Sequence, residues 1–175
     1  IVSIKPDGTA ATVGFQGDAY RFQIHDGAEL TLDNVALCAG AKMLQMGGGT
    51  AAKHSTLRLI NGAALCFTVQ KEGNAVTVTG AYTDIYVGEG CSVTQSGTVA
   101  YDFRAIVVAA NWKGRIVVEG ALRVDVAFDG DAAHTYALVH LNTNDGSVLL
   151  RDTATASVNA VFEGQGAPTS SATAI

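Results

Sequence analysis

Apolar and polar residues alternate over short stretches along the whole chain, and the clearest stretch returns at nearly constant spacing. It occurs as Val2-Ser3-Ile4, Leu30-Thr31-Leu32, Leu57-Arg58-Leu59, Ile85-Tyr86-Val87, Ile116-Val117-Val118 and Val148-Leu149-Leu150. The first members are separated by 28, 27, 28, 31 and 32 residues. Alternation within each triplet predicts a strand with one buried face, and the recurrence predicts a repeat. A second strand-like run follows a polar or glycine-bearing stretch: Thr12-Val13-Gly14-Phe15, Met43-Leu44-Gln45-Met46, Cys66-Phe67-Thr68-Val69, Ser92-Val93-Thr94, Leu122-Arg123-Val124-Asp125-Val126 and Ser157-Val158-Asn159-Ala160-Val161. A third run precedes the next triplet, as Phe22-Gln23-Ile24, Val76-Thr77-Val78, Ile106-Val107-Val108 and Leu138-Val139-His140. Its missing copy is expected near Gly49, where Gly47-Gly48-Gly49-Thr50-Ala51 is a poor strand, so that coil is expected to be irregular.

Three short strands per repeat cannot bury their own apolar side chains. Coils stacked at the inter-strand spacing of about 4.8 Å solve this, because each strand pairs in parallel with its copies above and below while inward residues merge into one core. The expected fold is all-β, with about six coils of 27–32 residues, three short strands per coil and a column on the order of 30 Å long. A coil of two strands and an antiparallel sandwich remain the alternatives. A sandwich, however, gives no reason for one triplet to return five times.

The coil pattern of Leu30-Thr31-Leu32-Asp33-Asn34, Leu57-Arg58-Leu59-Ile60-Asn61-Gly62 and Ile116-Val117-Val118-Glu119-Gly120-Ala121-Leu122 resembles the right-handed parallel β-helices of bacterial surface proteins, including autotransporter passenger domains and adhesins. The likeness is one of repeat style over roughly residues 1–162. It implies a single-stranded right-handed β-helix and an extracellular or cell-surface location, without implying an activity. The domain is expected over 1–163, with 164–175 a small, polar linker or cut end.

Composition agrees with one β-rich core. The 175 residues are 48% hydrophobic and include 20 glycines but only two prolines, which suits strands and tight turns. A formal charge of −5 has the wrong sign for nucleic acid or an anionic membrane surface. No apolar run approaches the roughly 18 residues of a membrane-spanning helix, so no membrane insertion by this segment is expected. The chain opens at Ile1 without a signal-like stretch, and any targeting signal is expected outside it. Cys38, Cys66 and Cys91 form neither a C-x-x-C pair nor an even set, so they read as small core residues rather than as a zinc site or a disulfide framework.

Enzymes of this fold style that cleave acidic polysaccharides set acidic and basic clusters on outward positions of adjacent coils. The middle residues of the first strand, Ser3, Thr31, Arg58, Tyr86, Val117 and Leu149, and of the third, Gln23, Thr77, Val107 and Val139, include no carboxylate. Neither a paired-carboxyl glycosidase nor a calcium-dependent lyase has an evident home there. Arg123 and Asp125, with Asp102 and Arg104 before them, read as solvated ion pairs. Asp129-Gly130-Asp131 and Asn142-Thr143-Asn144-Asp145-Gly146 resemble calcium loops faintly but read more simply as turns. His25, His54, His134 and His140 are scattered over different connections. Asn34 and Asn61 follow equivalent triplets and are expected to stack as a short amide ladder.

One feature stands out. His54, Tyr82, Trp112 and Asn142 fall in successive turns between the third and first strands, 28, 30 and 30 residues apart. Stacked at a corner, Trp112 and Tyr82 would make a flat platform for a sugar ring or a partner protein, with His54 and Asn142 beside them. The expected function is a non-enzymatic segment of a larger secreted or surface-displayed bacterial protein, a rigid stalk engaged in adhesion or glycan binding. No catalytic residue, metal or cofactor is expected. Partners would be a glycan, a host or cell-surface protein, or copies and parent-chain segments meeting the column ends. The competing readings are a polysaccharide lyase or glycoside hydrolase, drawing on Asp102, Asp125, Asp129, Asp131 and Arg123, and a phage tail or spike element.

Overall fold

The computed structural model describes residues 2–4, 11–14, 22–39, 44–69, 73–99, 103–129, 135–143, 145–163 and 171–173. Within them the regular structure is all strand. In chain order the strands are β1 (Val2–Ile4), β2 (Ala11–Gly14), β3 (Phe22–Ile24), β4 (Glu29–Asp33), β5 (Val35–Ala39), β6 (Leu44–Met46), β7 (Ser55–Ile60), β8 (Ala64–Val69) and β9 (Gly73–Val78). They continue as β10 (Thr83–Val87), β11 (Ser92–Val99), β12 (Phe103–Val108), β13 (Arg115–Val118), β14 (Ala121–Asp129), β15 (Thr135–Leu141), β16 (Ser147–Leu150), β17 (Thr155–Glu163) and β18 (Ser171–Thr173).

Every third strand joins the same sheet. The result is three parallel sheets of six strands, ordered β1-β4-β7-β10-β13-β16, β2-β5-β8-β11-β14-β17 and β3-β6-β9-β12-β15-β18. This is a parallel β-solenoid. Val2, Leu30, Leu57, Ile85, Ile116 and Val148 are successive Cα partners in the first sheet, the single file that the repeated triplet predicts. Leu30, Leu32, Leu57, Leu59, Ile85, Val87, Ile116 and Val118 are buried on its inner side. Leu37, Leu65, Phe67, Val93, Leu122 and Val124 meet them from the second sheet, and Ile24, Met46, Val76, Val78, Ile106 and Val108 from the third. A parallel sheet covered on one face by the other two alternates cleanly, and β7 and β10 do so residue by residue.

Two expectations about strand identity are corrected. Leu44–Met46 belongs to the third sheet, pairing Phe22–Ile24 on one side and Val76–Val78 on the other. The second strand of that coil is Val35–Ala39, which pairs Ala11–Gly14 and residues of β8. The cause is Asn34, whose left-handed backbone (φ 54°) turns the chain immediately after β4 and resets the alternation so that Val35 and Leu37 face inward. Gly47–Gly49 is thus part of a turn and not a failed strand. In β15, Val139 is buried opposite Ile106, and the outward middle position is His140, opposite Val107. Ala137, Leu138 and Val139 are all buried, and such a run carries no phase information.

The turns stack as the strands do. Asn34 and Asn61 share the left-handed conformation at equivalent corners (φ 54° and 55°), and the Asn34 N–H donates to Ile60 O at 3.1 Å. The Asn61 side-chain amide donates to Asp33 Oδ1 at 2.8 Å, a link between coils through a carboxylate rather than the expected Asn-to-Asn ladder. Ser171–Thr173, within the segment read as a linker or cut end, add a strand beside Thr135–Ala137.

Candidate functional site

The corner between the third and first sheets is built from close-packed turns. A Cβ on Gly80 would overlap the backbone of Gly48 one coil below, and one on Gly146 would overlap the Trp112 ring. Only glycine allows these turns to nest. Two side chains, Ser55 and Thr83, are fully buried beneath them. Ser55 Oγ accepts the Gly27 N–H at 3.0 Å, and Thr83 Oγ1 donates to Gly80 O at 3.4 Å, which satisfies polar groups that would otherwise be costly to bury.

At the lower part of this corner lies an open cleft of about 510 Å³, lined by His25, Asp26, Gly27, Ala28, Glu29, Lys53, His54 and Thr56. Its floor is the turn His25–Ala28, closed by Ala28 N–H donating to His25 O at 2.8 Å and tied to the coil above by Thr56 N–H donating to Ala28 O at 2.9 Å. Gly27 (φ 72°) lies so close under Lys53 that a Cβ there would press on the Lys53 methylenes, so the Lys53 stem is held along the cleft wall. Glu29 Oε1 accepts a bond from Thr31 Oγ1 at 3.1 Å, and His25 Nε2 lies 3.2 Å from Gln23 Oε1. Both cleft side chains are thereby oriented.

His54 leads from the cleft to the rest of the corner. Its ring lies 5.5 Å from that of Tyr82, tilted by 45°, and its Nδ1 lies 3.1 Å from Asp84 Oδ2. Asp84 Oδ1 also accepts the Arg115 N–H at 2.8 Å, so this carboxylate bonds to the coil above it while lying against the His54 ring of the coil below. Of the four residues expected to share a platform, the structure brings His54 and Tyr82 together. Trp112 is 1% exposed, with Nε1 donating to Thr83 O at 2.9 Å; its ring packs in the core and offers no face to solvent. Asn142 is exposed and uses its amide to donate to Val108 O at 2.9 Å, a bond that holds its own turn.

The other residues with candidate chemistry are accounted for by register. Arg123 and Asp125 point outward and are exposed. Their Cα partners are Thr94 and Ser157 for Arg123, and Ser96 and Asn159 for Asp125. Asp129 pairs in register with Glu163. Asp102, Asp131, His134, Gly130 and Asn144 lie outside the described residues. Thr143 Oγ1 accepts the Asp145 N–H at 3.2 Å, as expected of a turn. Among the described residues no group of three His, Cys, Asp or Glu side chains is placed to hold a metal ion.

On the outer face of the first sheet, Arg58 lies 4.9 Å from the Tyr86 ring centroid and the Tyr86 O–H donates to Glu119 Oε2 at 2.5 Å. The Glu119 bond, with burial second, raises the Tyr86 hydroxyl above its ordinary pKa. The cysteines divide. Cys91 is buried as expected (2% exposed), whereas Cys38 and Cys66 are half-buried on the outward side of the second sheet, directly opposite one another.

Sequence reasoning missed His25, Asp26, Glu29, Lys53 and Thr56 as a group. The available signal was the polar turn after each third strand, but with Leu44–Met46 assigned to the wrong sheet the turn at residues 25–28 could not be laid under the one at 47–54. No known protein family, curated protein or solved structure matches the chain.

Proposed function

We propose that the chain is a non-enzymatic segment of a larger secreted or surface-displayed bacterial protein, a rigid β-solenoid stalk that contacts a glycan through the cleft at its His54 corner. The cleft carries this reading. At about 510 Å³ it has the size of a small-ligand site. Within a few residues it sets the acceptors Asp26 and Glu29, the donor Lys53 and two imidazoles, the mixed hydrogen-bonding lining that suits a polyhydroxylated ring better than a ligand of one charge sign. Tyr82 and His54 add ring surface beside it. The stalk role is supported by the unbroken register of the three sheets, which fixes the cleft on a stiff column. The resemblance to autotransporter passengers and adhesins, and the surface location it implies, belong to this proposal.

A glycan array probed with the whole chain tests it. The expected outcome is binding to a restricted set of sugars, reduced at least tenfold in both Lys53→Ala and Glu29→Ala, whose side chains lie outside the core. An array bound equally well by both variants, or no glycan bound at all, would overturn the proposal.

A further inference from the structure

We infer that Cys38 and Cys66 form a dithiol site that closes to a disulfide between adjacent coils by exchange with a low-molecular-weight disulfide. The inference is independent of the glycan reading, because the pair sits on the outer face of the second sheet and not at the cleft corner. Two observations carry it. The two residues are Cα partners in β5 and β8, which sets their α-carbons at the inter-strand spacing of about 4.8 Å, within the range a disulfide spans. Both side chains are half-buried rather than enclosed, so a small disulfide reagent has access to them.

The third cysteine is excluded by position. Cys91 is buried and precedes Thr94, the residue opposite Cys66, by three residues, about 10 Å along the strand. In the outward file that contains the pair, the neighbours are Gly14 on one side and Thr94 on the other. No third thiol can compete.

The chemistry balances as two successive exchanges. The thiolate of one cysteine attacks the small disulfide RSSR, forming a mixed protein–SR disulfide and expelling RS⁻, which takes up the released proton. The second thiolate then attacks the protein sulfur of that mixed disulfide, forming the Cys38–Cys66 bond and expelling the second RS⁻ as RSH. Two protein thiols are oxidised while RSSR is reduced to two RSH. Side-by-side Cβ atoms on parallel strands do not point at one another, so the closed bond is strained and readily reduced. Burial, followed by the hydrogen bond and the charge of Cys38, pushes the Cys66 thiol from 9.0 up to about 11. Closure is therefore slow at neutral pH and accelerates as the solution becomes alkaline.

Incubation of the intact chain with oxidised glutathione, followed by alkylation, intact mass and peptide mapping, tests the site. Of three cysteines, the free thiol count should fall to one, with Cys38 linked to Cys66 within a single chain and closure at least tenfold faster at pH 9 than at pH 7. In Cys66→Ser the glutathione adduct should instead persist on Cys38. Three unreacted thiols, a stable glutathione adduct in the wild-type chain, or a bond involving Cys91 or a second chain would each overturn the inference. The wild-type mapping requires no variant to fold.

Discussion

Trp112 shows how a single side chain changes role once its surroundings are known. Its ring is buried, its Nε1–H donates to Thr83 O at 2.9 Å, and the backbone of Gly146 closes over it. It therefore serves packing, and the corner turns depend on it. Trp112→Phe, which loses the hydrogen bond and some volume, should cost about 1–2 kcal/mol, and Trp112→Ala about 3–5 kcal/mol. Urea melts give both values. Whatever sugar binding the folded fraction retains should be unchanged in Trp112→Phe, and a binding defect with an unaltered melt would restore Trp112 to the ligand site. Asp84 has the opposite character, being partly exposed while lying against His54 and accepting the Arg115 N–H. Neither environment can be read from residue type: an isolated Trp in a turn suits a platform and a plug equally well, and only the nested glycines decide between them.

At the level of strands, legibility followed phase. The first sheet was fully readable because each of its strands carries an apolar-x-apolar triplet at nearly constant spacing, and in the first four the outward residue, such as Thr31 or Arg58, is polar or amphipathic. The second strand of the coil that begins at β4 was hidden by Asn34, since a one-residue change of backbone handedness shifts the alternation without leaving a glycine or proline to mark it. β15 was misphased for a different reason: its run of small and apolar residues fits either face. Asn34 is thus the residue that gives Val35–Ala39 its register. Asn34→Gly should leave stability within a few tenths of a kcal/mol, whereas Asn34→Val, which places a β-branched residue at φ 54°, should cost about 1–2 kcal/mol. Paired chemical-denaturation curves check this, and equal losses in the two variants would show that the side chain and not the backbone conformation matters there. The cleft was illegible for the same reason as the strand, because its two walls come from turns that only the correct register superimposes.

Across the whole molecule, stability follows from stacking, since every internal strand is held by a neighbour on each side and every terminal one by a single neighbour. The difference is visible in the core. Val118 is fully buried, yet Leu150, its register partner in the terminal strand β16, is 39% exposed. Leu149 is exposed as well, at 43%. The same apolar position thus contributes less towards this end of the column, because its hydrophobic gain scales with the area removed from water. Opening should accordingly proceed from the column's ends. In hydrogen exchange read by mass spectrometry, amides of β7, β8, β10 and β11 should be the slowest. Those of β1 and β16 should exchange at least a hundredfold faster, as expected where strands open by local fraying rather than global unfolding. Uniform protection across all three sheets would mean that the column opens as one cooperative unit, and the nearest-neighbour account of its stability would then fail. With the Cys38–Cys66 bond closed, β5 and β8 can no longer separate independently, so fraying that starts at β2 should halt one strand earlier.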